Sequence, residues 1–116
     1  MSIESVLTDF LEVPGALGAA FLDASGQTVA KAGSPGAVDL LGAHQSVWLA
    51  ELTRVAQRAG LGELSDLCLD FDSYRILSAE VKAGYFLLVV FDESGLVSVG
   101  RALLSEARRS LANEIN

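Results

Sequence analysis

The sequence predicts an α+β fold: helices packed on a five-stranded sheet made mainly of antiparallel hairpins, in the order αββαβββα. Two observations carry that expectation. The spacing of apolar residues switches repeatedly between a period near 3.6 and a period of two, and within the first pair and the later trio the strand-like segments are joined by turns too short for a crossover helix. A third places one strand at the centre, because Tyr85 to Phe91 is apolar almost throughout and needs cover on both faces.

From Ser2 onward, Ile3, Val6, Leu7, Phe10 and Leu11 recur at helical spacing while Glu4, Asp9 and Glu12 fall elsewhere, and Pro14-Gly15 ends this first helix. Ala16 to Leu22 and Gln27 to Ala32 read as two strands. The turn between them is Asp23-Ala24-Ser25-Gly26, whose glycine suits the positive φ of a hairpin. Beyond the turn formers Gly33-Ser34-Pro35-Gly36, the period lengthens into a long second helix. Its register aligns Leu41, His44 or Gln45, Trp48, Leu52, Val55 and Ala59, and Leu40, Val47 and Leu49 widen the apolar surface beyond one stripe. Gly60 and Gly62 stop it.

Leu67, Leu69 and Phe71 then alternate with Asp66, Cys68, Asp70 and Asp72, as in a strand with one buried and one wetter face. Asp72-Ser73 turns the chain into Tyr74 to Val81, and Lys82-Ala83-Gly84 turns it again into Tyr85 to Phe91. A last helix aligns Leu96, Val99, Leu103, Ala107 and Leu111. Asp92-Glu93-Ser94-Gly95 offers capping groups and negative charge ahead of it, and Arg108 and Arg109 suit its C-terminal end.

The chain has 116 residues, enough for one core, and the whole of 1–116 is expected to be a single domain. Just over half of it is hydrophobic, which excludes a disordered chain. Fifteen acids against eight bases give a formal charge of −7, and the bases are scattered, so neither nucleic acid nor an anionic membrane is expected as a partner. One cysteine points to a reducing cytoplasm. No basic, apolar leader opens the sequence, and no apolar run approaches the roughly 18 residues that span a bilayer.

Candidate chemistry is sparse. Cys68 and His44 are the only conceivable nucleophile and base, but they lie on different elements without a local signature; a buried or interfacial thiol and an ordinary helix histidine account for them more simply. Asp66, Asp70 and Asp72 share a strand face and could suggest a cation site, yet a solvated or edge-protecting face explains the same alternation. The glycines form neither GxGxxG nor GxxxxGK[ST], so no bound nucleotide, cofactor or metal is expected, and the chain is not read as an enzyme. Trp48 is the most informative residue. It is either core beneath the sheet or an interface anchor, and the breadth of apolar surface on its helix favours the interface, since one sheet cannot cover both sides.

The ordered set of elements resembles the roadblock/dynein light chain 7 family, which includes MglB-like bacterial regulators, over about Ile3 to Leu111. The matching stretches are Leu17 to Asp23 with Gly26, Leu67 to Phe71, Tyr74 to Leu77, and Tyr85 to Val90. The resemblance implies a roadblock/profilin-like sheet in the order 2-1-5-4-3, with the second helix on one face and the terminal helices on the other. It also implies a homodimer made by pairing second helices and third strands. Leu41, His44, Gln45, Trp48, Leu52, Asp66, Cys68 and Asp70 then fall at or near the dimer or partner interface.

The function the resemblance implies is a non-catalytic platform that binds and regulates a Ras-like small GTPase, as scaffold or GTPase-activating protein. An arginine finger from Arg54 or Arg58 competes as a mechanism, although their position near the end of a helix more simply suits its dipole. Alternative readings are a structural adaptor light chain in a motor or scaffold complex, and a PAS- or profilin-like ligand sensor.

Overall fold

Helix α1 (Ile3–Leu11) forms where the apolar spacing predicts it and buries Val6, Leu7 and Phe10. The computed structural model describes residues 3–33, 36–82 and 84–114; Ser2, the Ser34-Pro35 part of the second turn, Ala83 and the side chain of Leu40 lie outside the described residues. After α1 come β1 (Ala16–Asp23), β2 (Thr28–Gly33), α2 (Gly36–Arg58), β3 (Leu67–Asp70), β4 (Tyr74–Lys82), β5 (Tyr85–Asp92), α3 (Val97–Ala102) and α4 (Leu104–Glu114). The strands form one sheet in the order β2-β1-β5-β4-β3, antiparallel at every pairing, with β5 at its centre.

Alternation along the strands divides the interior in two. Phe21, Leu77, Leu87, Val89 and Phe91 point to one face and pack with Phe10 of α1 and with Leu104 and Leu111 of α4. Ala20, Leu22, Ile76, Leu88 and Val90 point to the other, where Leu41 of α2 and Leu69 of β3 join them. The first face holds the larger cluster. A fully buried side chain of this size contributes about 1.5–3 kcal/mol, so α1 and α4 are held firmly. Among the described side chains of the 23-residue α2, only Gln45 and Leu49 are buried, so this helix is the lightly anchored one.

The turns show why the chain reverses where it does. Asp23 Oδ1 accepts hydrogen bonds from the Ser25 amide (2.9 Å), the Ser25 hydroxyl (2.6 Å) and the Gln27 amide (3.1 Å), and the Ser25 hydroxyl leads in holding this carboxyl below its usual range. Asp92 repeats the arrangement with the Ser94 amide and hydroxyl at 2.9 and 2.7 Å. The two Asp-x-Ser-Gly tetrapeptides are therefore one device used twice. The second was expected to cap the last helix. Its carboxylate is instead spent on its own turn, and the N-cap of α3 is Leu96, which makes no side-chain cap.

That last helix differs from expectation in two more ways. It is broken into α3 and α4 around Leu103, and its buried stripe is Val97, Gly100, Leu104, Ala107 and Leu111, with Leu96 and Val99 exposed. Gly100 is the reason: a Cβ there would lie 3.1 Å from Phe91 Cζ and 3.4 Å from Leu77 Cδ2, so the glycine face alone can come this close to the sheet. Arg108, placed by sequence at a helix end, sits within α4. It donates from Nε to the Glu80 carbonyl at 3.2 Å and from Nη2 to the Ser65 carbonyl, stapling the α2–β3 loop to β4.

Candidate partner-binding interface

Helix α2 connects the two edges of the sheet, from the end of β2 to the start of β3, and lies over β1, β5 and β4. It ends in a Schellman motif: Leu61 N–H donates to the Ala56 carbonyl at 2.8 Å and Gly60 N–H to that of Gln57 at 3.2 Å, with Gly60 at φ +71°. Gln45 and Leu49 face the sheet. One flank, carrying Val47, Ala50 and Arg54, faces Ala24 of the β1–β2 turn and Phe86. The opposite flank carries His44, Trp48, Leu52 and Val55 at i, i+4, i+8 and i+11, and Leu41 on the same side packs against the cluster that Leu69 of β3 also joins.

This second flank is apolar and open. Leu52 is 37% exposed and Val55 49%, with Trp48 partly buried between His44 and Leu52 and Leu41 partly buried one turn earlier. The sheet that α2 covers ends at β3, an edge strand whose outer side has no partner strand among the described residues. Phe71 was expected on the buried face of this strand, but β3 ends at Asp70 and Phe71 is 56% exposed, next to an exposed Tyr74. The Asp72-Ser73 turn has already pulled the chain off the ladder there: the Phe71 amide makes its bond to the Tyr74 carbonyl at 2.8 Å. Exposed Phe71, Tyr74 and Val55 were not among the sequence-derived interface residues, because alternation placed Phe71 inside the strand rather than at its frayed end.

The predicted residues separate into three groups. Leu41, His44, Trp48 and Leu52 share the α2 flank. Gln45 points inward with no exposure, its Oε1 accepting the Ser78 hydroxyl, and Nε2 has no hydrogen-bond partner among the described residues. Asp66, Cys68 and Asp70 lie toward the opposite sheet face: Cys68 pairs with Leu77 and Asp70 with Arg75, both outside the α2 cluster. Asp66 is bound to Arg101 at 3.0 Å, its side chain only 10% exposed, and Asp70 pairs with Arg75 at 3.5 Å. These carboxylates have cationic partners within the chain, and no group able to hold a metal occurs among the described residues.

The possible chemistry is equally muted. Burial first, then the Asp66 charge, push the Cys68 thiol above its ordinary value, with Arg101 pulling the other way, so the thiolate is scarce at neutral pH. Arg54 is held along its own helix by Glu51, whose hydrogen bond and charge raise the guanidinium pKa further. Arg58 stands in the last turn of α2. No helix among the described residues is long and apolar enough to cross a membrane.

The architecture is therefore an α+β domain: a five-stranded antiparallel sheet with one lightly anchored helix on one face and the terminal helices on the other. The chain belongs to the Roadblock/LC7 domain family, whose model matches residues 2–91. Among solved structures, a Roadblock/LC7 domain from Streptomyces avermitilis superposes with a TM-score of 0.86 at 17% identity, covering 99% of this chain and 98% of that one. Myxococcus xanthus MglB gives 0.82 at 18%, covering 96% and 92%, and the gliding protein MglB of Thermus thermophilus gives 0.81 at 22%, covering 96% and 86%. No curated protein matches the chain.

Proposed function

We propose that residues 1–116 form one roadblock-type domain that acts in the cytoplasm as a non-catalytic homodimer, and that the dimer binds and regulates a Ras-like small GTPase. The observations that carry this reading are the exposed apolar flank of α2 at Leu52 and Val55, with partly buried Trp48, and the edge strand β3, which has no outer partner strand among the described residues. Two copies related by a two-fold axis satisfy both needs together: the β3 edges complete each other's hydrogen bonding, and the α2 flanks bury each other's apolar surface. Gln45 then serves the interface indirectly, by seating the helix. Family membership and the similarity to MglB structures support the GTPase as partner.

Regulation in this reading comes from holding the GTPase's own switch residues rather than from a group supplied by this chain. The Glu51–Arg54 pair supports that choice over an arginine finger, because Arg54 is already engaged. The test is the solution mass by light scattering, followed by capture of Ras-like GTPases loaded with a GTP analogue or with GDP. A dimer that retains the GTP-analogue form is expected. A monomer at micromolar concentration overturns the dimer, and a dimer indifferent to every nucleotide state moves the function to a structural adaptor.

A further inference from the structure

Helix α2 is seated on the sheet over only part of its length. Gln45 is 0% exposed and Leu49 2%, and the same helix face returns one heptad later at Leu52 and Ala56. There Leu52 is 37% exposed and Ala56 half-buried. No side chain of residues 50–58 is buried, and the apolar cluster on this sheet face takes Leu41 from the other end of the helix. The C-terminal part of α2 therefore overhangs the sheet. Beneath it, a depression of about 290 Å³ separates Thr53 and Gln57 from Glu80 and Phe86, and it widens by some 610 Å³ toward Gly60 and Gly62. A polar-lined space of that size admits water, so dry packing does not tie the helix end to the strands.

The overhang has a weak point at one end and a fixed point at the other. Thr53 Oγ1 donates to the Leu49 carbonyl one turn back at 2.7 Å, a bond that competes with the helical ladder and favours bending where the sheet contact stops. Past the helix, Gly60 and Gly62 take φ +71° and +88°, with nothing within 4 Å of either Cβ position, so nothing crowds the loop at these two points. Further on the chain is clamped: the Ser65 carbonyl accepts a hydrogen bond from Arg108, and Asp66 is bound to Arg101 at 3.0 Å.

We propose that residues 50–64 form a hinged flap, bending between Leu49 and Thr53 and again before the clamped Ser65 and Asp66, which swings over the depression while Gln45 and Leu49 hold the rest of α2 in place. Closing buries the Leu52–Ala56 face against the sheet; opening leaves that face, together with Val55, for a partner. The flap thereby sets how much apolar surface α2 offers, and it does not rest on the proposed dimer or on the nature of the partner.

Backbone amide relaxation dispersion on the full chain, at several protein concentrations, reads motion on the microsecond-to-millisecond scale of hinges. Concentration-independent exchange with one shared rate is expected in residues 50–64 and in Glu80 and Phe86 across the depression, with Gln45, Leu49 and Val89 flat. Thr53→Leu/Glu80→Leu lines both sides of the depression with apolar surface that closing buries, and should shift the ratio of the two states by about tenfold or more toward the closed one. Thr53→Ala removes only the bond back to Leu49 and should diminish the exchange without loss of thermal stability. Flat profiles over 50–64, one exchange rate throughout β5 and α4, or a rate that changes with protein concentration, as association gives, would each overturn the hinge, as would two variants that exchange like the wild type.

Discussion

Gln45 Oε1 accepts the Ser78 hydroxyl in the middle of an otherwise apolar contact between α2 and β4, and both side chains are buried. A buried pair of this kind adds little net stability, but removing one partner leaves the other's polar atoms unsatisfied at a cost of about 1–3 kcal/mol. Ser78→Ala should therefore destabilise the fold by about that amount, because Gln45 would then hold two orphaned atoms. Gln45→Leu/Ser78→Ala should recover most of the loss, with urea denaturation reading both. If the double variant is as unstable as Ser78→Ala alone, the pair does not govern the seat of α2.

Two glycines with positive φ separate backbone strain from crowding. Gly60, at φ +71°, has nothing within 4 Å of where a Cβ would stand. Gly15, at φ +86°, would place its Cβ 2.4 Å from Gly95 Cα, where the Gly15 and Pro14 carbonyls already bind the Asp92 and Leu96 amides. Gly60→Ala should cost about 1 kcal/mol from conformation alone. Gly15→Ala should cost clearly more, since backbone must move against backbone. Equal denaturation midpoints for the two variants would count against the tight loop contact at Gly15.

Most of the fold was legible because the strands declare themselves by alternation and the turns by residue type. Tyr85 to Phe91 announced the central strand, and the 2-1-5-4-3 order implied by the family resemblance is the order observed. The last helix misled because periodicity treats glycine as a gap: Leu96 and Val99 fit one stripe as well as Val97 and Gly100 fit another, and only the approach of Phe91 chooses between them. Leu41, His44, Trp48 and Leu52, the helix residues of the proposed interface, were legible as one flank of α2. Whether His44 or Gln45 faces the sheet was not, because a buried glutamine needs a partner and Ser78 is 33 residues away in sequence. Asp66 likewise met its partner Arg101 only through tertiary contact.

That Asp66–Arg101 pair also tunes Cys68. Burial and the Asp66 carboxylate raise the thiol above its ordinary value and Arg101 opposes them, so the two members of the pair have opposite signs. The midpoint of the pH–rate profile for reaction with a disulfide reagent should lie above that of a free cysteine in the wild type, fall in Asp66→Asn and rise in Arg101→Ala. A one-unit shift corresponds to about tenfold in thiolate at a fixed pH below the midpoint. Shifts of the same sign in both variants would show that the local electrostatic account is wrong.

The α2 flank gives the sharpest test of the proposed dimer. Leu52 is more than a third exposed, so Leu52→Glu replaces no core contact and should leave thermal stability of the monomer nearly unchanged. In a dimer the same carboxylate would be buried against apolar surface near its own symmetry mate, and its desolvation should weaken association by at least tenfold. Trp48→Ala should weaken it as well, through lost area, with some loss of stability because Trp48 is partly buried in one chain. Arg58→Ala, beyond the apolar stripe, should leave the solution mass intact. Sedimentation equilibrium over micromolar concentrations separates these outcomes: a shift toward monomer in Leu52→Glu and Trp48→Ala but not in Arg58→Ala places the contact on this flank, whereas unchanged association in both flank variants removes it from there.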